Sequence, residues 1–236
     1  MNTAILLSGG AGRRMGIDVP KQYIRVSGKL LITYCLETLL THPMIDAVRI
    51  VAKKEWTEVI LTDAKENGLD TGKICGFSEP GNERQASIFH ALKDLKDSDT
   101  ERVPNHIFIH DAVRPNLSKE QITLCFHALK EHEGAMPVLP MKDTVYLSGG
   151  GRRVSGLLDR EKVFAGQAPE VFDFKKYYEA NVKLLPDGLQ RIKGSTEPAV
   201  LAGMDVVMIP GDENNYKITT MEDLKHFRRQ KEEKSR

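Results

Sequence analysis

The sequence predicts an α/β fold: a Rossmann-like, mostly parallel sheet with helices on both faces. Short apolar runs that read as buried strands alternate with amphipathic stretches of helical length, which is the rhythm of βαβ units. A glycine-rich turn directly follows the first apolar run. The 236 residues are enough to bury one core without a disulfide or metal staple.

The first strand is Thr3-Ala4-Ile5-Leu6-Leu7, ending at Ser8-Gly9-Gly10-Ala11-Gly12. The apolar pairs Leu31-Ile32, Cys35-Leu36 and Leu39-Leu40 recur every four residues, one face of a helix. Residues 47–52 read as a strand, 56–64 as a helix and 73–77 as a short strand. A glycine loop at Gly81 leads into a helix over about 85–95; a strand at 106–109 precedes a helix over about 119–131. Residues 136–139 read as a strand. The rhythm breaks at about 143–159, where two short apolar stretches flank Ser148-Gly149-Gly150-Gly151, the pattern of a hairpin. Such a hairpin either projects from the core, to bury its apolar side on a second subunit, or folds back on its own domain. Helices over about 174–183 and 221–230 and a strand at 206–209 complete the pattern. The expected organisation is one domain over residues 1–230, an arm at about 143–162 and a charged, fraying tail over 231–236.

Lys and Arg number 34 against 33 Asp and Glu, a net charge of +1. No global field is available to hold nucleic acid or an anionic membrane, so a bound anion must meet local positive groups. No apolar run approaches the ~20 residues that span a bilayer. The N-terminus has no basic segment ahead of an apolar stretch, and three scattered cysteines without a CxxC read as reduced thiols, so the expected location is cytoplasmic. The seven histidines form no metal-ligand spacing that suggests zinc.

Ligands of such sheets bind beyond the carboxyl ends of the strands, which directs attention to residues 8–21, 78–87 and 110–116. The turn from Ser8 to Met15 is neither GxGxxG nor the P-loop pattern. It carries Arg13 and Arg14, with Lys21 nine residues after Gly12. A glycine turn after a strand is often purely structural. Two guanidiniums and an ammonium beside it suit a nucleotide triphosphate.

The spacing Leu-Ser-Gly-Gly-x-Gly-x-Arg-Met, followed by Pro20-Lys21-Gln22-Tyr23, resembles the sugar-nucleotide-type nucleotidyltransferases. Within these, the chain is similar to the cytidylyltransferases that make CDP-linked polyols, those acting on 2-C-methyl-D-erythritol 4-phosphate and on ribitol 5-phosphate. Further segments match in order: Gly81-Asn82-Glu83-Arg84-Gln85-Ala86-Ser87, His110-Asp111-Ala112-Val113-Arg114-Pro115, Asp159-Arg160 with Gln167-Ala168-Pro169 and Phe172, and Asn215-Tyr216-Lys217-Ile218-Thr219-Thr220 with Glu222-Asp223-Leu224. The resemblance implies a GT-A-like nucleotidyltransferase domain, CTP and a small polyol phosphate as substrates, Mg²⁺, and a homodimer whose hairpin arm completes the neighbouring site.

Roles carried over from the resemblance follow the matching positions. Arg14 and Lys21 act on the triphosphate and the pentavalent transition state, with Ser8, Gly9, Gly10, Ala11 and Gly12 around the phosphates. Arg13 is either a second phosphate ligand or an exposed charge. Gly81, Asn82, Arg84 and Ser87 hold the cytosine, unless Arg84 instead caps or braces the helix that follows. Asp111 organises Mg²⁺, unless it is only a turn residue, and Asp111, Ala112 and Arg114 lie by the ribose and acceptor. Lys217 contacts phosphate in its own subunit, whereas Thr144 and Arg160 serve the acceptor across the dimer. His110 reads as a packed structural histidine. A phosphate monoester is already mostly anionic at neutral pH, so the reaction calls for cations and positioning rather than a catalytic triad.

The sequence departs from the family pattern in two places. The pattern places Thr-Asp-Asp/Glu-Ala-Ser before the late helix. Counting from Gly203 puts Lys193 and Gly194 where Thr and Asp are expected, with Thr196 and Glu197 the nearest chemical equivalents. Pro169-Glu170 stands where the pattern has Pro-Gln. These departures bear on the acceptor: methylerythritol phosphate is the first expectation and ribitol 5-phosphate the second. A guanylyl- or other nucleotidyltransferase and a nucleotide-binding paralogue without activity are the rival readings.

Overall fold

A computed structural model describes residues 1–10, 19–98 and 103–234. Over these residues eight strands form one mixed sheet: β1 (Asn2–Leu7), β4 (Ala47–Val51), β5 (Ile74–Ser78), β6 (His106–Asp111), β7 (Gly134–Pro140), β10 (Phe164–Gly166), β11 (Glu170–Asp173) and β12 (Val206–Pro210). Their order is β10-β7-β11-β6-β1-β4-β5, with β12 on the other side of β7. Strand β1 lies in the middle, parallel to β4 and β6, and β4 is parallel to β5. Strands β10 and β11 run antiparallel to their neighbours.

The central strands are apolar on both faces because helices cover both. Ala4, Leu6 and Phe108 join a core under α1 (Leu31–Thr41), α2 (Thr57–Glu66) and α4 (Lys119–Ala128). Ile5, Ile107 and Ile109 point the other way, onto α3 (Arg84–Lys96) and α5 (Phe174–Val182). The pairs 31–32, 35–36 and 39–40 are all buried, as their spacing requires.

Differences from the sequence reading are local. Strand β6 extends two residues beyond 109, so His110 and Asp111 close the strand instead of opening a loop. Helix α4 stops at Ala128. The short strands β10 and β11, the helix α6 (Glu197–Leu201) and a ribbon of β2 (Arg25–Val26) and β3 (Lys29–Leu30) were not expected. The last helix, α7 (Met221–Lys234), continues through most of the segment expected to fray. It packs Phe227 edge-on against Tyr34, with Lys231 above both rings, and this gives the charged end of the helix something to hold.

The hairpin forms as expected, from β8 (Tyr146–Leu147) and β9 (Gly156–Leu157), antiparallel and joined through the glycine turn. Three of its apolar side chains stand uncovered: Tyr146, Val154 and Leu157 are each 60% exposed or more.

The β2–β3 ribbon follows directly after residues 20–23 and is fixed by one buried carboxylate. Asp63 on α2 accepts from the Leu30 N–H at 3.1 Å and the Thr33 hydroxyl at 2.5 Å, and pairs with Arg25 at 2.5 Å. Removing it leaves two buried donors unmet. Asp63→Ala is expected to cost about 2–4 kcal/mol in urea unfolding, while Arg25→Ala, which removes a half-exposed guanidinium but leaves the buried carboxylate without its cation, is expected to cost about 1–3 kcal/mol.

Candidate active site

A cleft of about 610 Å³ opens beyond the carboxyl ends of β1, β4 and β6. One wall is the glycine turn, with Ser8, Gly9 and Gly10, and the segment carrying Lys21 and Gln22. The opposite wall is the loop and helix start that bring Gly81, Asn82, Glu83, Arg84 and Ser87. Asp111, Val113 and Lys217 form the floor and one side. Ala11, Gly12, Arg13 and Arg14 lie outside the described residues.

The walls are set by short-range packing. The Ser8 N–H donates to the Val51 carbonyl at 2.9 Å, so the turn leaves the sheet only after one more interstrand bond. Gln22 donates its side-chain amide to the carbonyls of Ser8, at 2.5 Å, and Gly10, at 2.8 Å. Tyr23 donates to the Ser8 carbonyl at 3.0 Å and meets the Ser8 hydroxyl at 2.9 Å. The Pro-Lys-Gln-Tyr segment thus fastens the turn while aiming Lys21 at the cleft. The Lys21 ammonium donates to the Ile218 carbonyl at 3.0 Å, joining the first loop to the last.

Gly9 is needed where it stands: a Cβ there would lie 2.3 Å from Pro80 Cβ, so the two walls touch at this point. A Cβ on Gly81 would lie 2.5 Å from Ala86 Cβ and 3.0 Å from the Ser87 nitrogen. The Ser87 hydroxyl accepts from the Gly81 N–H at 2.9 Å and donates to the Glu83 carbonyl at 3.1 Å, which closes the loop on the first turn of α3.

The electrostatic centre is Asp111, nearly buried at the end of β6. Its Oδ1 lies 3.1 Å from the Arg84 guanidinium, its Oδ2 lies 2.8 Å from the Lys217 ammonium, and Arg114 Nε stands 3.8 Å away. Burial pushes the Asp111 carboxyl up, but Arg84 and Lys217 outweigh it and hold the group far below the usual carboxylate range. Burial likewise opposes the charge on Arg84, and Asp111 and Glu170 more than restore it. Arg84 therefore braces the floor of the cleft. Its Nη1 also donates to Ser195 at 2.6 Å, and its Nη2 lies 3.5 Å from Glu170.

Other expected residues fall behind or beside the cleft. Ala112 does not reach it: the side chain is in the core and its N–H is taken by the Leu7 carbonyl at 2.9 Å. Arg114 stands behind Asp111 and donates to the Asn215 carbonyl at 2.7 Å, tying the loop after β6 to the late loop that carries Lys217. Thr144 and Arg160 are exposed on the arm, where Arg160 donates to the Lys142 carbonyl at 2.9 Å. His110 is fully buried, donates from Nε2 to the Arg114 carbonyl at 3.0 Å, and is held neutral by burial, which lowers its pKa to about 4.

Sequence reasoning assigned no role to Gln22, Tyr23, Glu170, Ser195 or the Thr220–Asp223 pair. The last is a helix start: Asp223 accepts from the Thr219 and Thr220 N–H groups at 2.8 Å, and Thr220 Oγ1 accepts from the Asp223 N–H at 3.2 Å. The Thr-x-x-Asp spacing was the available signal. For Glu170 and Ser195 the signal was their departure from the motif.

A glycine turn and several cations converging beyond the ends of parallel strands define a nucleotide-handling cleft of the nucleotidyltransferase kind. The family described as IspD, 2-C-methyl-D-erythritol 4-phosphate cytidylyltransferase, matches residues 2–228, and the chain belongs to it. It is 32% identical over 225 residues to 2-C-methyl-D-erythritol 4-phosphate cytidylyltransferase of Clostridium beijerinckii, covering 95% of each chain. A ribitol-5-phosphate cytidylyltransferase of Lacticaseibacillus paracasei is 27% identical, covering 97% of each. The crystal structure of 4-diphosphocytidyl-2C-methyl-D-erythritol synthase from Anaerococcus prevotii superimposes with a TM-score of 0.79 at 26% identity, over 95% of this chain and 93% of the other.

The buried titratable groups make acid stability a probe of the site. Asp111 binds its proton less readily folded than unfolded, so its contribution is present above ~3.9 and is lost as pH falls further. The loss of stability in Asp111→Asn, measured by urea unfolding, is expected to shrink below pH ~4. His110 acts higher. Between ~6.5 and about 4 the unfolded chain takes up a proton that folded His110 refuses, so stability falls as pH falls, and His110→Asn flattens that limb.

Proposed function

We propose that the chain transfers CMP from CTP to 2-C-methyl-D-erythritol 4-phosphate and releases pyrophosphate. The observation that carries this reading is the convergence of Lys21, Lys217 and the Arg84–Asp111 pair on one cleft in a chain of this family. An oxygen of the acceptor's phosphate attacks the α-phosphorus of CTP. A new P–O bond forms there, the bond from the α-phosphorus to the bridging oxygen breaks, and pyrophosphate leaves with the electron pair. The nucleophile is already anionic, so the work of the protein is to bring two anions together and to stabilise the charge on the α-phosphoryl and leaving groups.

Lys21 and Arg14 take the triphosphate, with backbone groups of the turn from Ser8 to Gly12 around it. Lys217 is held within reach of the phosphates by Asp111. The loop from Gly81 to Ser87 holds the cytosine. Mg²⁺ suits this arrangement. Asp111 is a hard oxygen donor on the cleft wall, and among the described residues no cluster of three His, Cys, Asp or Glu offers an all-protein cage. An ion that keeps most of its waters and arrives on phosphates needs no more than that. When bound it would neutralise phosphate charge, and Asp111, whose oxygens already face Arg84 and Lys217, would hold it through the ion's waters.

The uncovered apolar residues of the arm, Tyr146, Val154 and Leu157, support a homodimer in which Thr144 and Arg160 reach the neighbouring acceptor site. Ribitol 5-phosphate is the second acceptor. The ribitol-5-phosphate cytidylyltransferase among the relatives supports it, and the departures in the 193–199 segment and at 170 weaken the case for the first acceptor.

Pyrophosphate release measured for CTP, UTP, ATP and GTP against both polyol phosphates tests the reading. Turnover is expected with CTP only. Saturable CTP binding without pyrophosphate would leave a binding protein, and ribitol 5-phosphate outpacing methylerythritol phosphate would exchange the acceptors. Lys21→Ala and Lys217→Ala are each expected to lower kcat about 10²–10³-fold with the fold intact. Arg160→Ala is expected to raise the KM for the acceptor more than that for CTP. A fully active monomer would overturn the cross-subunit role.

A further inference from the structure

The two departures from the family pattern meet in space. Glu170 heads β11, next to β6 in the sheet and paired with Ile109, two residues before Asp111. Its side chain is nearly buried. The Ser195 hydroxyl donates to Glu170 Oε1, and Arg84 donates to the same Ser195 oxygen at 2.6 Å while its Nη2 faces Glu170 at 3.5 Å. Arg84 then donates from Nε to Asp111 at 3.1 Å, and Asp111 holds Lys217. The count from Gly203 that puts Gly194 at one acidic position of the pattern puts Ser195 at the next. A carboxylate missing from residue 195 is thus present at residue 170, hydrogen-bonded to the serine that stands in its place.

We propose that Glu170 is a positioning residue for the transfer, holding Arg84 from behind through Ser195 so that Asp111 and Lys217 keep their places in the cleft. The proposal rests on the cytidylyl-transfer reading for its kinetic part only. Its physical basis is the fork geometry of arginine. A guanidinium gripped on one edge by Asp111 and on the other by Glu170 and Ser195 cannot swing toward an incoming phosphate. With a neutral residue at 170, that edge keeps the Ser195 bond but loses the charge that faces Nη2 and anchors Ser195. Arg84 then competes for substrate phosphate, and Asp111 loses the partner that fixes its first oxygen. A buried carboxylate is costly to place, Glu170 Oε2 has no hydrogen-bond partner, and burial raises its pKa despite Arg84. A purely structural residue here would be better as an amide.

The test moves the charge between the two positions. Glu170→Gln is expected to lower kcat about 10–100-fold and to change the KM for CTP by less than about threefold. Ser195→Asp, which sets two carboxylates against each other, is expected to be similarly impaired. The double variant Glu170→Gln/Ser195→Asp is expected to return to within about threefold of the parent. Thermal unfolding separates positioning from packing: Glu170→Gln is expected to unfold at or above the parent's Tm although it is slower. A second readout needs no turnover. The Arg84 Nε–H resonance in ¹⁵N-labelled protein, identified by its loss in Arg84→Lys, is expected to be sharp in the parent and the double variant and broadened in Glu170→Gln. A parent that releases no pyrophosphate fails the cytidylyl-transfer reading, and the resonance then decides the role of Glu170 alone. Parent-like kcat or an unchanged resonance in Glu170→Gln overturns the proposal. So does a folded double variant no better than Glu170→Gln. Should Glu170→Gln fail to fold, a folded, active double variant supports the proposal, and a double variant that is inactive or also unfolded overturns it.

Discussion

The site is built on a carboxylate that sits among cations. Asp111 ends the strand next to the central one, where the sheet is deepest, and three basic side chains from three separate stretches of chain close around it. Each of those stretches is a loop or a helix end. The ion contacts therefore do for the cleft what apolar burial does for the sheet. They give Arg84, Arg114 and Lys217 one common reference point, and that point is rigid because β6 is hydrogen-bonded on both edges. A negative group in a cleft for anions is consistent with this. Its charge is more than balanced by its neighbours, and what an incoming phosphate meets is the surplus.

Around that centre, the loops hold one another more than they hold the sheet. Gln22 and Tyr23 fasten the glycine turn by its carbonyls, Lys21 reaches to the carbonyl of Ile218, and the Ile218 N–H returns to Val113. Ser87 folds the opposite loop onto α3. Amide and hydroxyl groups in these places are already paired, which limits what is left over for a ligand. The N–H of Ala112 is spent on the protein, and the hydroxyl of Ser87, which accepts once and donates once within its own loop, keeps one acceptor position.

Much of this was legible in the sequence, and the reasons are physical. The central strands announce themselves because they are apolar on both faces, and α1 because its apolar pairs keep helical register. The loops at the strand ends were legible because chemistry concentrates there. What escaped notice were elements too short or too interrupted to carry a period. Strands β10 and β11 are separated by Gln167 to Pro169, and a proline without an N–H hides the continuity of a strand. The ribbon of β2 and β3 has four residues, and α6 has five, one of them proline. Partnerships were less legible than positions. Nothing local to Arg84 reveals that its strongest contacts lie 27 and 111 residues away, or that Ala112, inside a functional motif, turns inward.

The contact between Gly9 and Pro80 has a mechanical meaning. Among the described residues, the facing walls of the cleft touch where the Gly9 backbone meets the Pro80 ring, and neither partner bears charge or titrates. That contact is indifferent to ionic strength and pH, whereas the charge pairs on the floor beneath it answer to both.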